Sequence, residues 1–543
     1  KRTARAALKI AVDMVDEGLI TQHEALLQID AQQLDQLLHP SFDRSATRVL
    51  LAKGINAAPG AATGQAALTA EKAEEMADAG LDVILVRRET QSEDLHGMAR
   101  SKGFLTGTGG KTSHAAVVAR QMGKICVSGC QDLHVTGETT FKIGEREFEE
   151  GDELSLDGTL GEVYAGIVPM KGVELPADLE RVMGWADQYR RLAVRTNADT
   201  PEDCRIALEF GAEGIGLCRT EHMFFDEERI LHVREMILAG DDEESMREAL
   251  DKLLPYQRGD FEKIFEVMDG LPVNIRLLDP PLHEFLPLEE ENQAEVAKEL
   301  GVSREELARR VEDLHEANPM LGHRGCRLGV THPAIYDMQI RAILEAACNE
   351  QAKGIVVHPE IMIPLSSTVN EVRFVQERLV RVAEKVFEEK GQRVEYQIGT
   401  MIETPRAALT GGRIAQVAQF FSFGTNDLTQ MTYGFSRDDV STFLPTYVEK
   451  GLVPVDPFDT IDELAVGRLM KIAKEEGRET RPDLKVGICG ESGGEPASIG
   501  FCHRIGLDYV SCSPFRVPTA RLAAAQAAVR EDVVAEVGDL VAS

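Results

Sequence analysis

Glu403 ends the apolar run YQIGTMIE and Asp427 ends FFSFGTND, with one helical stretch between them. Runs of that length read as strands, so the two carboxylates stand at the ends of neighbouring strands. Two hard oxygen ligands with positions left for water and substrate oxygens suit Mg²⁺ or Mn²⁺. A pair of helix-capping carboxylates is the plainer alternative. Arginines recur at comparable places: Arg219 in GIGLCR, Arg276 in NIRLLD and Arg324 in GHRGCR. A guanidinium is a permanently charged planar fork that matches phosphate or carboxylate. Internal ion pairs are the alternative there, with Glu221 or Asp279 as partner. Cys489 and Glu491 end VGICGE. By itself Cys489 reads as a small buried hydrophobe. In a site that makes and breaks an enolate, a thiol of ordinary pKa, about 8.5, is mostly protonated at neutral pH and suits an acid.

A further residue stands apart from these. TGTGGKTSHAAVVARQMG, residues 106–123, sets His114 behind glycines 107, 109 and 110 and ahead of a helical segment. The glycines let the backbone turn tightly, so that several N–H groups face one anion. The positive end of the following helix adds to that field. A phosphate on the imidazole would be held by both, whereas a capping or core histidine is the ordinary reading of such a position.

The strand-end residues need a scaffold that gathers strand ends. From residue 192 onward short apolar runs alternate with long helical patterns: LAVRTNA, AEGIGLCRT, VNIRLLD, HRGCRLG, PEIMIPL, YQIGTMIET, FFSFGTND, KVGICGE and DYVSCSP. Repeated βα units over 192–543 predict a (β/α)₈ barrel with insertions, a fold whose active sites form at the carboxyl ends of the strands. Nine runs compete for eight places, and a doubly wound open sheet is the alternative. Thr404 and Pro405 suit an N-cap and first helical position, opening a helix through RAALTGGRIAQVA.

Upstream, residues 45–165 carry β-like pieces (LDVILVRR, KICVSG, DELSLDG, EVYAG) between glycine turns, with a helix over 113–122. They predict a compact α/β domain around His114. Residues 1–44 read as helical: Ala7, Leu8, Ala11, Met14 and Val15 recur at helical spacing, and Thr21 with Glu24 makes a capping box. PMKGVELPADLE is weakly patterned, so 166–191 reads as a linker, with a second flexible stretch at 41–47.

Composition narrows the partners. Lys plus Arg is 59 and Asp plus Glu is 91 in 543 residues, a net charge of −32. That disfavours nucleic acid and acidic membrane surfaces, and an anionic substrate would need arginines gathered locally against the field. The nine cysteines are scattered without a CxxC pair, which predicts reduced thiols and a cytoplasmic protein. No apolar run approaches the ~18 residues of a transmembrane helix. The chain starts at Lys1 in an amphipathic pattern, so an upstream portion of the protein is expected.

GGKTSHAAVVARQMG resembles the phosphohistidine motif of the phosphoenolpyruvate-utilising family. FSFGTNDLTQMTYGFSRDD and GICGESGG resemble its barrel signature. ALKIAVDMVDEGLI, LDQLLHPSFD, GLCRTEHMFF, LLDPPLHEFLP and NPMLGHRG resemble the branch that works with ATP, pyruvate and inorganic phosphate, and the likeness covers essentially the whole chain. The resemblance implies that His114 carries the phosphoryl group on a swivelling domain. It implies that Arg219 and Arg276 hold the phosphate of phosphoenolpyruvate and that Glu403 and Asp427 bind Mg²⁺. Gly424, Thr425, Asn426 and Asp427 would contact substrate with Glu403, and Cys489 would protonate the enolate to give pyruvate; Arg324 would add positive charge. A homodimer through the barrel is implied as well.

No segment resembles the family's upstream ATP-grasp domain, of which 1–44 would be a helical remnant. The half-reaction expected of this chain is phosphohistidine plus pyruvate giving phosphoenolpyruvate plus histidine, and its reverse. The whole enzyme would interconvert ATP, pyruvate and phosphate with AMP, phosphoenolpyruvate and pyrophosphate, reaching ATP and phosphate only through that domain. A phosphoenolpyruvate synthase, a sugar-system phosphotransferase and a non-catalytic docking module are the rival readings. Three positions depart from the family's pattern: Thr108 where Arg is common, Lys111 where Met is usual, and Ser492 where His often follows GICGE.

Overall fold

The computed structural model describes residues 3–43, 45–90, 94–110, 113–137, 139–171, 175–240, 242–287, 290–316, 318–437 and 439–542. Eight short parallel strands close on themselves: β1 (Ala193–Asn197), β2 (Ile215–Arg219), β3 (Pro272–Arg276), β4 (His358–Ile363), β5 (Gln397–Ile402), β6 (Phe420–Phe423), β7 (Lys485–Ile488) and β8 (Tyr509–Cys512). β8 returns to β1 with Ala193 opposite Tyr509 and Thr196 opposite Cys512. Closure excludes the doubly wound sheet.

The spare run among the nine is HRGCRLG. It lies inside the long connection from β3 to β4 and forms a helix, Cys326–Thr331, with Cys326, Leu328 and Gly329 buried. Gly325 starts that helix at φ 59, where a Cβ would fall 2.7 Å from Leu365 Cβ. Arg324 therefore does not end a strand, as its pattern suggested, but sits on an insertion that folds back over the barrel. The same connection carries the helices Glu290–Leu300 and Arg304–Leu314.

Large residues fill the barrel opposite small ones. A Cβ on Gly399 would lie 2.4 Å from the Phe420 ring, and one on Gly487 2.2 Å from the Tyr509 ring. Arg195 lies 4.1 Å over the Tyr509 ring and pairs with Glu360 at 2.7 Å, and Lys485 reaches the same carboxylate at 2.8 Å. The buried Glu360 carboxylate is thus shared by two cations, one buried and one half-exposed.

The outer helices bury one face each. Val369–Lys390 opens on a Thr368–Glu371 capping box, ends at left-handed Gly391, and buries Val372, Val375, Leu379, Ala383, Val386 and Phe387. Each larger side chain so buried contributes roughly 1.5–3 kcal/mol. The helix expected through RAALTGGRIAQVA is instead broken at Thr410 into Pro405–Leu409 and Gly411–Ile414. Gly411 approaches Ala473 so closely that a Cβ would meet its Cα at 2.8 Å.

Residues 4–38 form three helices, Ala4–Asp16, Gln22–Gln28 and Ala31–Leu38, the second opening on the Thr21–Glu24 capping box. They dock on the C-terminal helix Val517–Ala542, where Gln526 Nε2 donates to the carbonyls of Leu26 and Ile29 at 2.7 Å. The stretch 166–191 is not a plain linker. It contains the helix Ala177–Tyr189, which buries Leu179, Val182, Met183, Trp185 and Ala186 in the same core.

Between these parts lies a separate α/β unit. Its eight-stranded sheet runs, in spatial order, through residues 50–53, 162–165, 153–157, 61–67, 83–87, 103–106, 125–128 and 55–58, beside a three-stranded sheet over 133–149. The two chain crossings that join this unit to the rest pair with each other: Ser41 stands opposite Lys171 and Phe42 opposite Met170, antiparallel. At the barrel, Gly123 abuts Phe515, a Cβ on the glycine falling 2.6 Å from Phe515 Cε2.

Candidate active site

A cavity of about 200 Å³ opens where β2, β3, β5, β6 and β7 end. Arg219, Arg276, Glu403, Gly424, Thr425, Asn426, Asp427 and Cys489 all line it, together with Arg324. Residues far apart in the chain meet there because parallel strands deliver their carboxyl ends to one rim.

Glu403 directly follows β5 and is buried. Its Oε1 accepts the N–H of Leu365 at 2.6 Å. Leu365 holds φ 51, the one non-glycine residue with positive φ among the described residues, so a strained backbone aims that N–H at the carboxylate. Gly424 leaves room for the other oxygen: a Cβ there would lie 2.5 Å from Glu403 Oε2. Thr404 caps the next helix by accepting from Ala407 N, with Pro405 behind it. Burial, then the carboxylates of Asp427 and Asp279, push the Glu403 pKa well above the usual range against the pull of Arg324 and Arg276.

The arginines enter a chain of alternating charge. Arg276 contacts Glu221 and stands 3.0 Å from Asp279, Arg324 contacts Asp279, and Arg324 Nη1 lies 3.2 Å from Asp427 Oδ1. The ion-pair alternative and the cavity lining are thus both realised for Arg276. Burial works against the Asp279 carboxylate, but Arg276 and Arg324 outweigh it and hold its pKa below the usual range. Arg276 Nε, Asp279 Oδ1 and Glu221 Oε2 are buried without a hydrogen-bond partner. Such atoms cost about 1–3 kcal/mol each, so the cluster is built to be completed by something polar.

Two lining groups escaped the sequence reading. Asp279 was weighed only as an ion-pair partner, although it joins two of the arginines. Arg437 lies ten residues past Asp427 in the same signature; its Nη2 stands 3.1 Å from Glu491 Oε1, and its Nε is buried without a hydrogen bond. Its place beyond the helix Thr425–Tyr433 gives no strand-end signal.

Cys489 follows β7 and is buried, its thiol donating to the carbonyl of Phe423 at 3.6 Å. Burial pushes its pKa up to about 11, so the ordinary thiol value assumed from sequence does not hold and the group is more firmly protonated. Ser492 is buried behind the cavity, where Thr425 Oγ1 donates to its hydroxyl at 3.4 Å.

Two carboxylates suit a hard divalent cation that keeps most of its shell for water and substrate. Among the described residues no group of three metal-ligating side chains occurs, in keeping with such a partial site. The raised pKa of Glu403 beside Asp427 marks negative charge that a cation would relieve, so the residues fit Mg²⁺.

His114 is the first residue of the helix His114–Gln121, behind the cap Ser113, whose Oγ accepts from Ala116 N and donates to the Gly110 carbonyl. Gly109 turns the chain at φ 100, with a Cβ there only 2.9 Å from Ser113 Oγ. Gly107 and Gly110 take no positive φ. Thr108 Oγ1 donates to the Arg88 carbonyl at 3.1 Å. Lys111 and the side chain of His114 lie outside the described residues. Among the described residues the cavity is lined by the barrel and its insertions alone, so the structure does not bring the His114 unit to it.

The model of the PEP-binding domain of PEP-utilising enzymes matches residues 174–529, and that of their mobile domain matches residues 81–161. Pyruvate, phosphate dikinase of Clostridium symbiosum is 54% identical over 533 residues, 97% of this chain and 61% of that protein. The protein of the same name from Rhizobium meliloti (strain 1021) is 55% identical over 100% of this chain and 61% of its own length. Pyruvate, phosphate dikinase 1, chloroplastic, of Arabidopsis thaliana is 55% identical over 97% of this chain and 55% of its own. The chain spans about three fifths of the length of these relatives. With a barrel whose strand ends converge on one cavity and a family match over most of its length, the chain belongs to the PEP-utilising enzymes.

Proposed function

We propose that this chain performs the phosphoenolpyruvate/pyruvate half-reaction of a pyruvate, phosphate dikinase. The observation that carries the reading is the cavity itself: four arginines, two carboxylates suited to a divalent cation and a protonated thiol meet in about 200 Å³. Arg219 and Arg276 hold the phosphate of phosphoenolpyruvate, with Arg324 and Arg437 adding charge. Glu403 and Asp427 hold Mg²⁺, which supplies positive charge to phosphoryl and enolate oxygens. The Gly424–Thr425–Asn426–Asp427 turn contacts the substrate.

The imidazole of His114 attacks phosphorus as the bond to the enol oxygen breaks. The enolate takes its methyl proton from Cys489, and solvent returns a proton to the thiolate. The reverse direction forms phosphoenolpyruvate. A swivel of the 45–165 domain carries His114 to the cavity, with the crossings near 41–47 and 166–171 as hinges. In the whole protein, an upstream domain reached by the same swing uses ATP and phosphate and releases AMP and pyrophosphate. We place the enzyme in a reducing, cytoplasmic setting, in keeping with nine free, buried cysteines, and as a homodimer through its barrel. No helix among the described residues is long and apolar enough to cross a membrane.

The test is mass spectrometry of the chain after incubation with phosphoenolpyruvate and Mg²⁺. One phosphoryl group on His114, absent from His114→Ala, is expected; labelling that survives that substitution sinks the carrier assignment. Phosphate dependence and pyrophosphate release by the full-length protein separate the dikinase from a synthase.

A further inference from the structure

Asp199 follows β1 and faces the chain leaving β2. Its Oδ1 accepts the main-chain N–H of Arg219 at 2.6 Å, and its Oδ2 takes His222 Nδ1 at 2.8 Å. An ionised carboxylate only accepts, so Nδ1 carries the hydrogen. The Arg219 guanidinium stands 3.6 Å from the same Oδ2, inside ion-pair range but beyond a normal hydrogen bond. Both side chains are sheltered, Asp199 at 13% and Arg219 at 14% exposure. Burial opposes the charge on Asp199, but His222 and Arg219 outweigh it and hold its pKa below the usual carboxylate range.

Asp279 behaves differently. That carboxylate closes directly on the guanidinium groups of Arg276 and Arg324. Asp199 is more exposed than Asp279, at 13% against 3%, and it does not close on Arg219. Among the described residues the Arg219 guanidinium donates no hydrogen bond, and it lines the cavity. At Asp199 both oxygens are already held, Oδ1 by the Arg219 main chain and Oδ2 by His222, and together these two bonds fix the orientation of the carboxylate.

We infer that His222 is a positioning residue: by engaging Asp199 Oδ2 it keeps that carboxylate off the Arg219 guanidinium. The Arg219 main chain is anchored through Oδ1 while its planar fork stays open to the phosphate of phosphoenolpyruvate. The inference rests on Arg219 being a phosphate-holding residue. Without His222, Asp199 rotates onto Arg219 and competes with the incoming anion.

The experiment measures Mg²⁺-dependent exchange of isotopic label between phosphoenolpyruvate and pyruvate, with KM and kcat resolved, and melting temperature alongside. His222→Ala is expected to raise the KM for phosphoenolpyruvate about tenfold or more, with kcat changed less. His222→Asn, which keeps an N–H donor near the Nδ1 position, is expected to stay within about threefold of the parent. Adding Asp199→Asn to His222→Ala removes the competing charge while keeping an acceptor for the Arg219 N–H, and is expected to restore KM. An unchanged KM in His222→Ala, or a double variant no better than the single, overturns the inference. So does a His222→Asn variant as poor as the alanine, which would mark the imidazole as a chemical participant. Failure of the underlying reading looks different: no exchange by the parent protein, or an Arg219→Ala variant with unaltered KM.

Discussion

Glu403 shows how a carboxylate buried beside other acids opposes stability at one residue. Its folded pKa lies well above the ordinary value because it is buried beside Asp427 and Asp279. A carboxyl raised in this way binds its proton more tightly in the folded than in the unfolded chain. Its contribution is fully present below the unfolded pKa and is lost as pH rises toward the folded one. Metal-free Glu403→Gln is therefore expected to melt at a higher temperature than the parent at neutral pH, by a margin that shrinks at acid pH, while losing exchange activity. Thermal scans at several pH values check this, and a parent as stable as the variant at neutral pH contradicts it. Cys489 carries a second prediction. With its pKa near 11, the thiol stays protonated across the neutral range. Cys489→Ala is expected to retain phosphoenolpyruvate binding but lose pyruvate methyl exchange in deuterated water, followed by NMR. Exchange at the parental rate removes Cys489 from the proton step.

At the scale of elements, the site depends on places where a side chain has been left out. Gly424 joins β6 to the helix Thr425–Tyr433, and a Cβ there meets Glu403 Oε2 at 2.5 Å and Met401 Sδ at 2.9 Å. Gly490, just after Cys489, leaves the space that Thr425 Oγ1 enters, 2.0 Å from a would-be Cβ. Gly424→Ala is expected to displace Glu403 and weaken Mg²⁺-dependent binding at least about tenfold, with the barrel intact by circular dichroism. Binding at the parental level by calorimetry contradicts the cradle. Thr404 illustrates how local rules carry over: the Thr–Pro pair reads as a helix start in sequence and is one in the structure. The end of that helix was not readable, because Gly411 is selected by its approach to Ala473 on a distant helix. The helix Ala177–Tyr189 was missed for a different reason. The weakly patterned stretch PMKGVELPADLE ends at Glu180, and beyond it Val182, Met183 and Ala186 follow Leu179 at helical spacing and pack with the N-terminal and C-terminal helices.

The whole molecule poses a problem of transport. The cavity is lined by the barrel and its insertions, and the unit carrying His114 meets the barrel elsewhere, at Gly123 and Phe515. His114 opens the helix whose far end leads into Gly123, so the contact lies a helix length, roughly 12 Å, from the histidine. A disulfide between Gly123→Cys and Phe515→Cys is expected to hold this pose and block phosphoenolpyruvate-dependent labelling of His114, with labelling restored by reductant. Labelling that proceeds in the oxidised variant shows that no departure from this contact is needed. Restoration on reduction separates locking from any strain at Gly123, whose φ is 63. The charge of −32 also acts at this scale: the four arginines at the cavity are interleaved with Asp279, Glu403 and Asp427, so an anion is held there by local pairing against the field of the whole molecule.

The sequence by itself determined what local physics can write into it. Alternating apolar runs and helical stretches specify repeated βα units, and the polar residues ending those runs, Arg219, Arg276, Glu403, Asp427 and Cys489, follow from the pattern alone; closure into a barrel instead of an open sheet did not. The tertiary structure decided everything that depends on which ends meet. It assigned HRGCRLG to a helix, brought Arg324 to the site on an insertion, and joined Arg276, Asp279 and Arg324 into one chain of charge. It raised the Cys489 pKa through burial and set His222 between Asp199 and Arg219. Burial, dielectric and charge pairing are properties of a three-dimensional neighbourhood, and no spacing along the chain encodes them.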